Sequence, residues 1–253
     1  MSQNSLTRTE LLIGSEGIDK LKNAKVVVFG VGGVGSFTVE ALTRAGIGNI
    51  ILVDDDTVCV TNLNRQIHAT EVTVDRVKVE VMKERVLSIN SKCNVTTKQI
   101  FVTPENIKNI IPDDTDYVVD AIDTITAKLA LVEYCTEKNI KIMCSMGTGN
   151  KMDPTKFEVA DIYDTKVCPL AKVMRYELRK RGIKKLKVVY SQEIPTRPNK
   201  GPVPVVKEND INKVEGEKRI KPKRQTPGSI SFVPPVAGMI IGGEVIKDIL
   251  GFN

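Results

Sequence analysis

Two hydrophobic rhythms alternate along the chain. Short unbroken apolar runs such as Val26-Val27-Val28-Phe29 read as strands buried on both faces. Segments with apolar residues every three or four positions read as amphipathic helices. In order, the pattern predicts a strand at 25–30, a helix at 36–45 stopped by Gly46, and a strand at 49–53. A long helix at 74–90 follows, with Val77, Val81, Met82 and Val86 recurring on one side. Then come a strand at 95–101, a short helix at 104–111, a strand at 117–122, a helix at 126–139 and a strand at 140–145. Strands alternating with helices imply a doubly wound α/β fold with a mostly parallel sheet covered on both faces. After Gly149 the pattern weakens. A strand at 157–162, a helix at 169–181 and a strand at 188–193 are expected, and Pro235 opens a closing helix through Leu250. Between them, 196–228 is rich in Pro, Lys and Glu and reads as a mobile basic loop. Residues 1–150 are thus expected to form the nucleotide-handling part, and 151–253 a carboxyl-terminal extension of the same domain.

Composition narrows the class. With 253 residues, 41% hydrophobic and 27% charged, the chain is long enough for a sizeable core. No apolar run approaches the roughly 18–20 residues that cross a bilayer. Nor does the amino terminus show a basic region followed by an apolar core. The five cysteines (59, 93, 135, 144 and 168) are scattered with no C-x-x-C pair, which points to reduced thiols in a cytoplasmic protein and against structural zinc. The net charge of +6 is uneven: residues 172–187 carry eight Lys/Arg against one acid, and 196–228 carry nine against four. This is a solvated surface or a polyanion-binding one, with nucleic acid the usual partner.

Candidate chemistry clusters where the strands end. Gly30-Val31-Gly32-Gly33-Val34-Gly35 separates the first strand from its helix. Glycines allow close approach, and the helix amino terminus offers unpaired N–H groups to a phosphate. Asp54, with Asp56 two residues on, closes the second strand; Asn64-Arg65-Gln66, Lys78 and Asp123 fall near the same crevice. A dinucleotide explains the glycines and Asp54 as a ribose ligand, but leaves Arg65, Lys78 and Asp123 without roles. ATP uses them all: Arg65 and Lys78 as phosphate cations, Asp123 for Mg, Asp54 for the ribose. Each group also has an ordinary explanation, in that Arg65 can pair with Asp56, Lys78 can be a surface lysine and Asp123 can cap a helix. All of them at once are harder to explain that way.

The order Gly-x-Gly-Gly-Val-Gly-Ser, Asp-Asp-Asp-Thr-Val-x-x-Thr-Asn-x-Asn-Arg-Gln, Arg-x-Lys-Val-Glu-Val-Met and Asp-Ala-Ile-Asp resembles the ubiquitin-activating-type adenylating enzymes over about residues 8–149. Asn64-Arg65-Gln66-Ile67-His68-Ala69, Ser145-Met146-Gly147 with Asp153-Pro154-Thr155, and Pro169-Leu170-Ala171-Lys172-Val173 are similar to stretches of the tRNA threonylcarbamoyladenosine dehydratases. That resemblance implies ATP-dependent adenylation and cyclisation of the threonylcarbamoyl group on adenosine 37 of tRNA. It places Gly33 against the nucleotide, Asp54 on the ribose, Asn62, Arg65 and Lys78 at the phosphates, and Mg on Asp123. It also implies a homodimer in which Arg8 reaches the partner's nucleotide site. With tRNA as the polyanion, the charge distribution predicts that the basic carboxyl-terminal third holds it, especially Lys172, Arg175, Arg179, Lys180, Lys184 and Lys185. An activating enzyme for a sulfur-carrier or ubiquitin-like protein is the alternative. For that chemistry Cys168 is the one cysteine in a plausible loop, while His68, the sole histidine, reads as structural rather than a general base.

Overall fold

The computed structural model describes residues 4–197 and 227–252. Helix α1 (Thr7–Asn23) leads into β1 (Lys25–Phe29), α2 (Gly35–Ala45), β2 (Asn49–Val53) and α3 (Lys78–Ile89). Next are β3 (Asn94–Lys98), α4 (Ile107–Ile110), β4 (Tyr117–Asp120), α5 (Ile125–Glu137) and β5 (Lys141–Ser145). Strand β6 (Phe157–Asp161), α6 (Pro169–Lys180), β7 (Lys187–Ser191) and α7 (Val233–Leu250) follow among the described residues.

Among the described residues, seven strands join one sheet in the order β3-β2-β1-β4-β5-β7-β6. Only edge strand β6 runs antiparallel. The expected α/β fold is what the chain adopts, and β6 and β7 extend the same sheet. The four residues of Val26–Phe29 are fully buried because helices cover both faces of β1. The order reverses between β1 and β4, and a crevice opens there at the carboxyl ends of the strands, where doubly wound sheets bind ligands.

Several boundaries move, for physical reasons. The helix expected from 74 starts at Lys78, because Val77 is extended and bridges to Thr57. The strand expected to reach 101 stops at Lys98, so that Ile100 and Phe101 turn outward. The closing helix takes both Pro234 and Pro235 into its first turn, where no intrahelical N–H is needed. It packs along α2: Thr38 Oγ1 donates to Gly238 O at 3.0 Å. Of the expected loop 196–228, residues 198–226 lie outside the described residues. Its two ends meet at Asn150, whose backbone has φ 59°. The Thr196 N–H donates to Asn150 O at 2.8 Å, and the Gly228 N–H donates to Asn150 Oδ1 at 2.6 Å.

Candidate nucleotide site

The crevice is a cleft of about 300 Å³ bounded by Gly30, Gly32, Gly33, Asp54, Asp56, Asn62, Arg65, Gln66, Lys78 and Asp123. Three of the expected residues are not among its walls. Gly35 is buried beneath the glycine turn, where any Cβ would overlap the Gly30 carbonyl. Asn64 is exposed and bridges elsewhere, accepting from Arg65 Nη1 at 2.9 Å and donating to Ser229 O at 3.0 Å. Arg8 is exposed on α1. Its neighbour Leu6 packs against Gly46, at the far end of α2 from the cleft. Arg8 therefore does not enter the cleft of its own chain.

The glycines divide their work. Gly30 has φ +85°, and a Cβ there would lie 2.7 Å from Ala121 O, so β1 and β4 close together only over glycine. At Gly32 an added Cβ would meet nothing nearer than Gln66 Nε2 at 3.9 Å, leaving its surface to a ligand. Gly33 is backed by Pro234 of α7, with 3.1 Å from a built Cβ to the proline Cβ.

Asp54 is held from two sides. Its Oδ2 accepts the Val31 N–H of the glycine loop at 2.6 Å, and its Oδ1 accepts the Asp56 N–H at 3.0 Å. Burial raises its carboxyl above the ordinary value, opposed by Lys78 and these two N–H groups. Lys78, at the first turn of α3, is buried and points its ammonium at Asp56 (2.7 Å) and Asp54 (3.8 Å). So Lys78 is not a surface lysine, and Asp56 pairs with it rather than with Arg65. Arg65 Nη1 donates to Thr61 O at 3.0 Å, and burial lowers its pKa. Asn62 is buried and fixed by the Cys59 N–H at 3.1 Å. Gln66 is buried with its Oε1 unpartnered among the described residues, an acceptor open to a bound group. Asp123 is exposed and makes no hydrogen bond among the described residues; α5 has no side-chain cap at Thr124, so Asp123 is not spent on the helix.

One wall was not legible as such. Ile100, Phe101 and Val102 also line the cleft, an apolar surface for a purine ring. In the sequence Ile100 and Phe101 look like the end of a strand, and only the structure turns them outward, while Val102 stays buried. The two residues with doubtful chemistry sit elsewhere. Cys168 is buried at the start of α6. His68 is buried behind the cleft, and burial together with Lys78 and Arg85 lowers its pKa to about 4.

Sheet order, glycine turn and the ring of cations and acids define a doubly wound nucleotide-binding fold of the adenylating-enzyme type. Comparison with known proteins narrows this. The model of the ThiF family matches residues 6–253. The tRNA threonylcarbamoyladenosine dehydratase of Bacillus subtilis (strain 168) is 46% identical over 250 residues, covering 98% of this chain and 95% of that one. The crystal structure of the E. coli tRNA N6-threonylcarbamoyladenosine dehydratase in complex with ATP superposes with a TM-score of 0.84 at 33% identity, covering 98% of this chain and 94% of that one. The AMP complex of that enzyme gives 0.82 at 34%, covering 96% and 93%. The chain belongs to the ThiF family, among its tRNA threonylcarbamoyladenosine dehydratases.

Proposed function

We propose that this chain is an ATP-dependent tRNA-modifying dehydratase that adenylates the carboxylate of threonylcarbamoyladenosine at tRNA position 37 and drives its cyclisation. The observation that carries this is one cleft holding a glycine turn, two cations and an uncommitted carboxylate, in a chain matched end to end by dehydratases. In the first step a substrate carboxylate oxygen attacks the α-phosphorus of ATP and pyrophosphate leaves. In the second, the tethered carbamoyl group attacks the acyl carbon and AMP leaves with that oxygen, so the nucleoside loses one water overall. Ring closure is intramolecular and needs no enzyme nucleophile, in keeping with the burial of Cys168.

The residues take roles by their geometry. Lys78 and Arg65 neutralise phosphate charge in a partly dry cleft, where such stabilisation is strongest. Asp54, already fixed, turns its remaining lone pairs to the ribose. Gln66 Oε1 accepts a hydroxyl or amine of the nucleoside, and Ile100 and Phe101 cover the base. Asp123 is the residue free to hold Mg, which would offset triphosphate charge. The protein contains no structural zinc in this reading and works in the cytoplasm. It is a homodimer: Leu11 and Leu12 on α1 are 84% and 83% exposed beside Arg8, an apolar pair suited to an interface. From there Arg8 serves the partner's site. Mixed Arg8→Ala and Lys78→Ala subunits, each inactive alone, should then recover activity. The tRNA is held by the cationic carboxyl-terminal third, 172–187 and 196–228.

The deciding experiment is nucleoside mass spectrometry of threonylcarbamoylated tRNA treated with the protein and ATP. Loss of one water, with AMP and pyrophosphate released, is expected. No mass change, together with pyrophosphate exchange stimulated by a small protein ending in Gly-Gly, would replace this reading with activation of a carrier protein.

A further inference from the structure

Helix α6 crosses from the carboxyl edge of the sheet, where the nucleotide cleft lies, to the amino edge. Its first turn touches the segment after β5, with Leu170 Cβ 4.0 Å from a Cβ built on Gly147. Its end feeds Lys184, Lys185 and the start of β7. Ala171, Met174 and Leu178 bury one stripe against Leu129, Val132, Cys144 and Val188. The opposite stripe is Lys172, Val173, Tyr176, Arg179 and Lys180, all exposed. Tyr176 is 60% exposed, an unusual position for a large ring with no apolar cover. Lys180 Nζ stands 4.0 Å from its ring centroid, and the Arg179 guanidinium lies 5.1 Å from that of Tyr163.

The charge on this face is not internally cancelled. Glu177, the one acid of α6, is shared between Arg181 at 2.7 Å and Lys180 at 3.6 Å, and Arg181 also pairs with Glu133 at 3.0 Å. Arg175, expected to serve the polyanion, turns inward instead and donates to Thr165 O at 3.0 Å. That leaves Lys172, Arg179, Lys184 and Lys185 with no acidic partner among the described residues, strung along and just past a helix of ~18 Å, the length of 12 residues. Cations beside an exposed aromatic match single-stranded RNA, whose bases stack on rings; cations without an aromatic match the phosphates of a paired stem.

We propose that this face of α6 is the docking ridge for the anticodon arm of tRNA, with an unpaired loop base stacked on Tyr176, Lys172 at the loop, and Lys184 and Lys185 on stem phosphates. The polarity follows from the fold: the nucleoside to be modified belongs to the loop and must reach the cleft edge, so the stem runs down α6. This rests on the dehydratase reading.

The test measures binding of the full chain to a stem–loop RNA and to the loop heptamer alone, across a salt series. Tyr176→Ala should weaken both RNAs about tenfold with an unchanged salt slope, and Tyr176→Phe should restore them. Lys184→Glu with Lys185→Glu should lower the salt slope for the stem–loop by about two and leave the heptamer unaffected. ATP binding and the melting midpoint should stay as in the parent chain. Unchanged RNA affinity in both variants, in a protein that still dehydrates tRNA, overturns the ridge alone. A parent chain that neither binds nor modifies tRNA overturns the dehydratase reading with it. Loss of dimerisation in Tyr176→Ala at unchanged RNA affinity would make the ridge a protein interface.

Discussion

Lys128 and Asp120 form an ion pair with both side chains at 0% exposure and 2.8 Å between Nζ and Oδ2. Lys128→Met keeps the length of the side chain but strands a carboxylate with no solvent. Breaking such a pair from one side costs about 3–5 kcal/mol. At about 2–4 °C per kcal/mol for a chain of this size, the melting midpoint should fall by about 10 °C. Removing both charges is different. In Asp120→Leu with Lys128→Met no ion is stranded, and the stability should return to within about 1–2 kcal/mol of the parent. The function should not return with it. Asp120 ends β4 and its Oδ1 accepts the Ile122 N–H at 3.3 Å, anchoring the turn that carries Ala121, Ile122 and Asp123 into the cleft. The double variant should therefore melt near the parent midpoint yet show a several-fold higher KM for ATP. Urea denaturation read by circular dichroism, alongside pyrophosphate release, separates the two effects. A single variant as stable as the parent, or a double variant as damaged as the single one, would refute the reasoning.

Three further outcomes are expected. Gly32→Ala should fold with stability within about 0.5 kcal/mol of the parent, because the new methyl meets only Gln66 Nε2, at an ordinary contact of 3.9 Å, but should lose at least tenfold in ATP affinity by calorimetry; Gly35→Ala should instead fail to fold stably, since its methyl overlaps the Gly30 carbonyl. His68, with its pKa lowered from 6.5 to about 4, stays neutral when folded while the unfolded chain takes up a proton, so stability is lost as the pH falls through that window; the full effect is about 3 kcal/mol, and His68→Gln should flatten the corresponding part of a pH–stability profile. Cys59 is the one exposed cysteine among the five, and Thr61 Oγ1 at 3.3 Å lowers its thiol pKa; intact-mass analysis of the native protein after brief alkylation should show one adduct, absent in Cys59→Ser, and rapid labelling of Cys168 would contradict its burial.

Much of this was legible in the sequence because the periodicities were strong. The run Val26–Phe29, the glycine turn and the acids Asp54 and Asp123 past the ends of β2 and β4 point to a doubly wound sheet and its crevice with no tertiary information. What was not legible depends on contacts distant in the chain. Asn64 looked like a nucleotide ligand beside Arg65, yet its amide is spent on Ser229, 165 positions away. Arg175 looked like one more cation in a basic run, yet a carbonyl ten positions earlier draws it inward. Phe101 looked like strand because the apolar run Ile100-Phe101-Val102 follows closely on β3. Gly35 read as a phosphate glycine by its motif, when the Gly30 carbonyl beneath it is what excludes a side chain.

The junction at Asn150 has a use in protein engineering. Thr196 and Gly228 leave the body of the protein side by side, tied to the same residue. Whatever joins them needs only to span that short gap, and closing a longer loop costs little, about 0.6 kcal/mol for each doubling of length. The span between is thus a natural cassette. It can be cut to a short Gly/Ser bridge, exchanged for another segment, or opened as new termini in a circular permutant. In each case the sheet, the glycine turn and the cleft stay covalently intact.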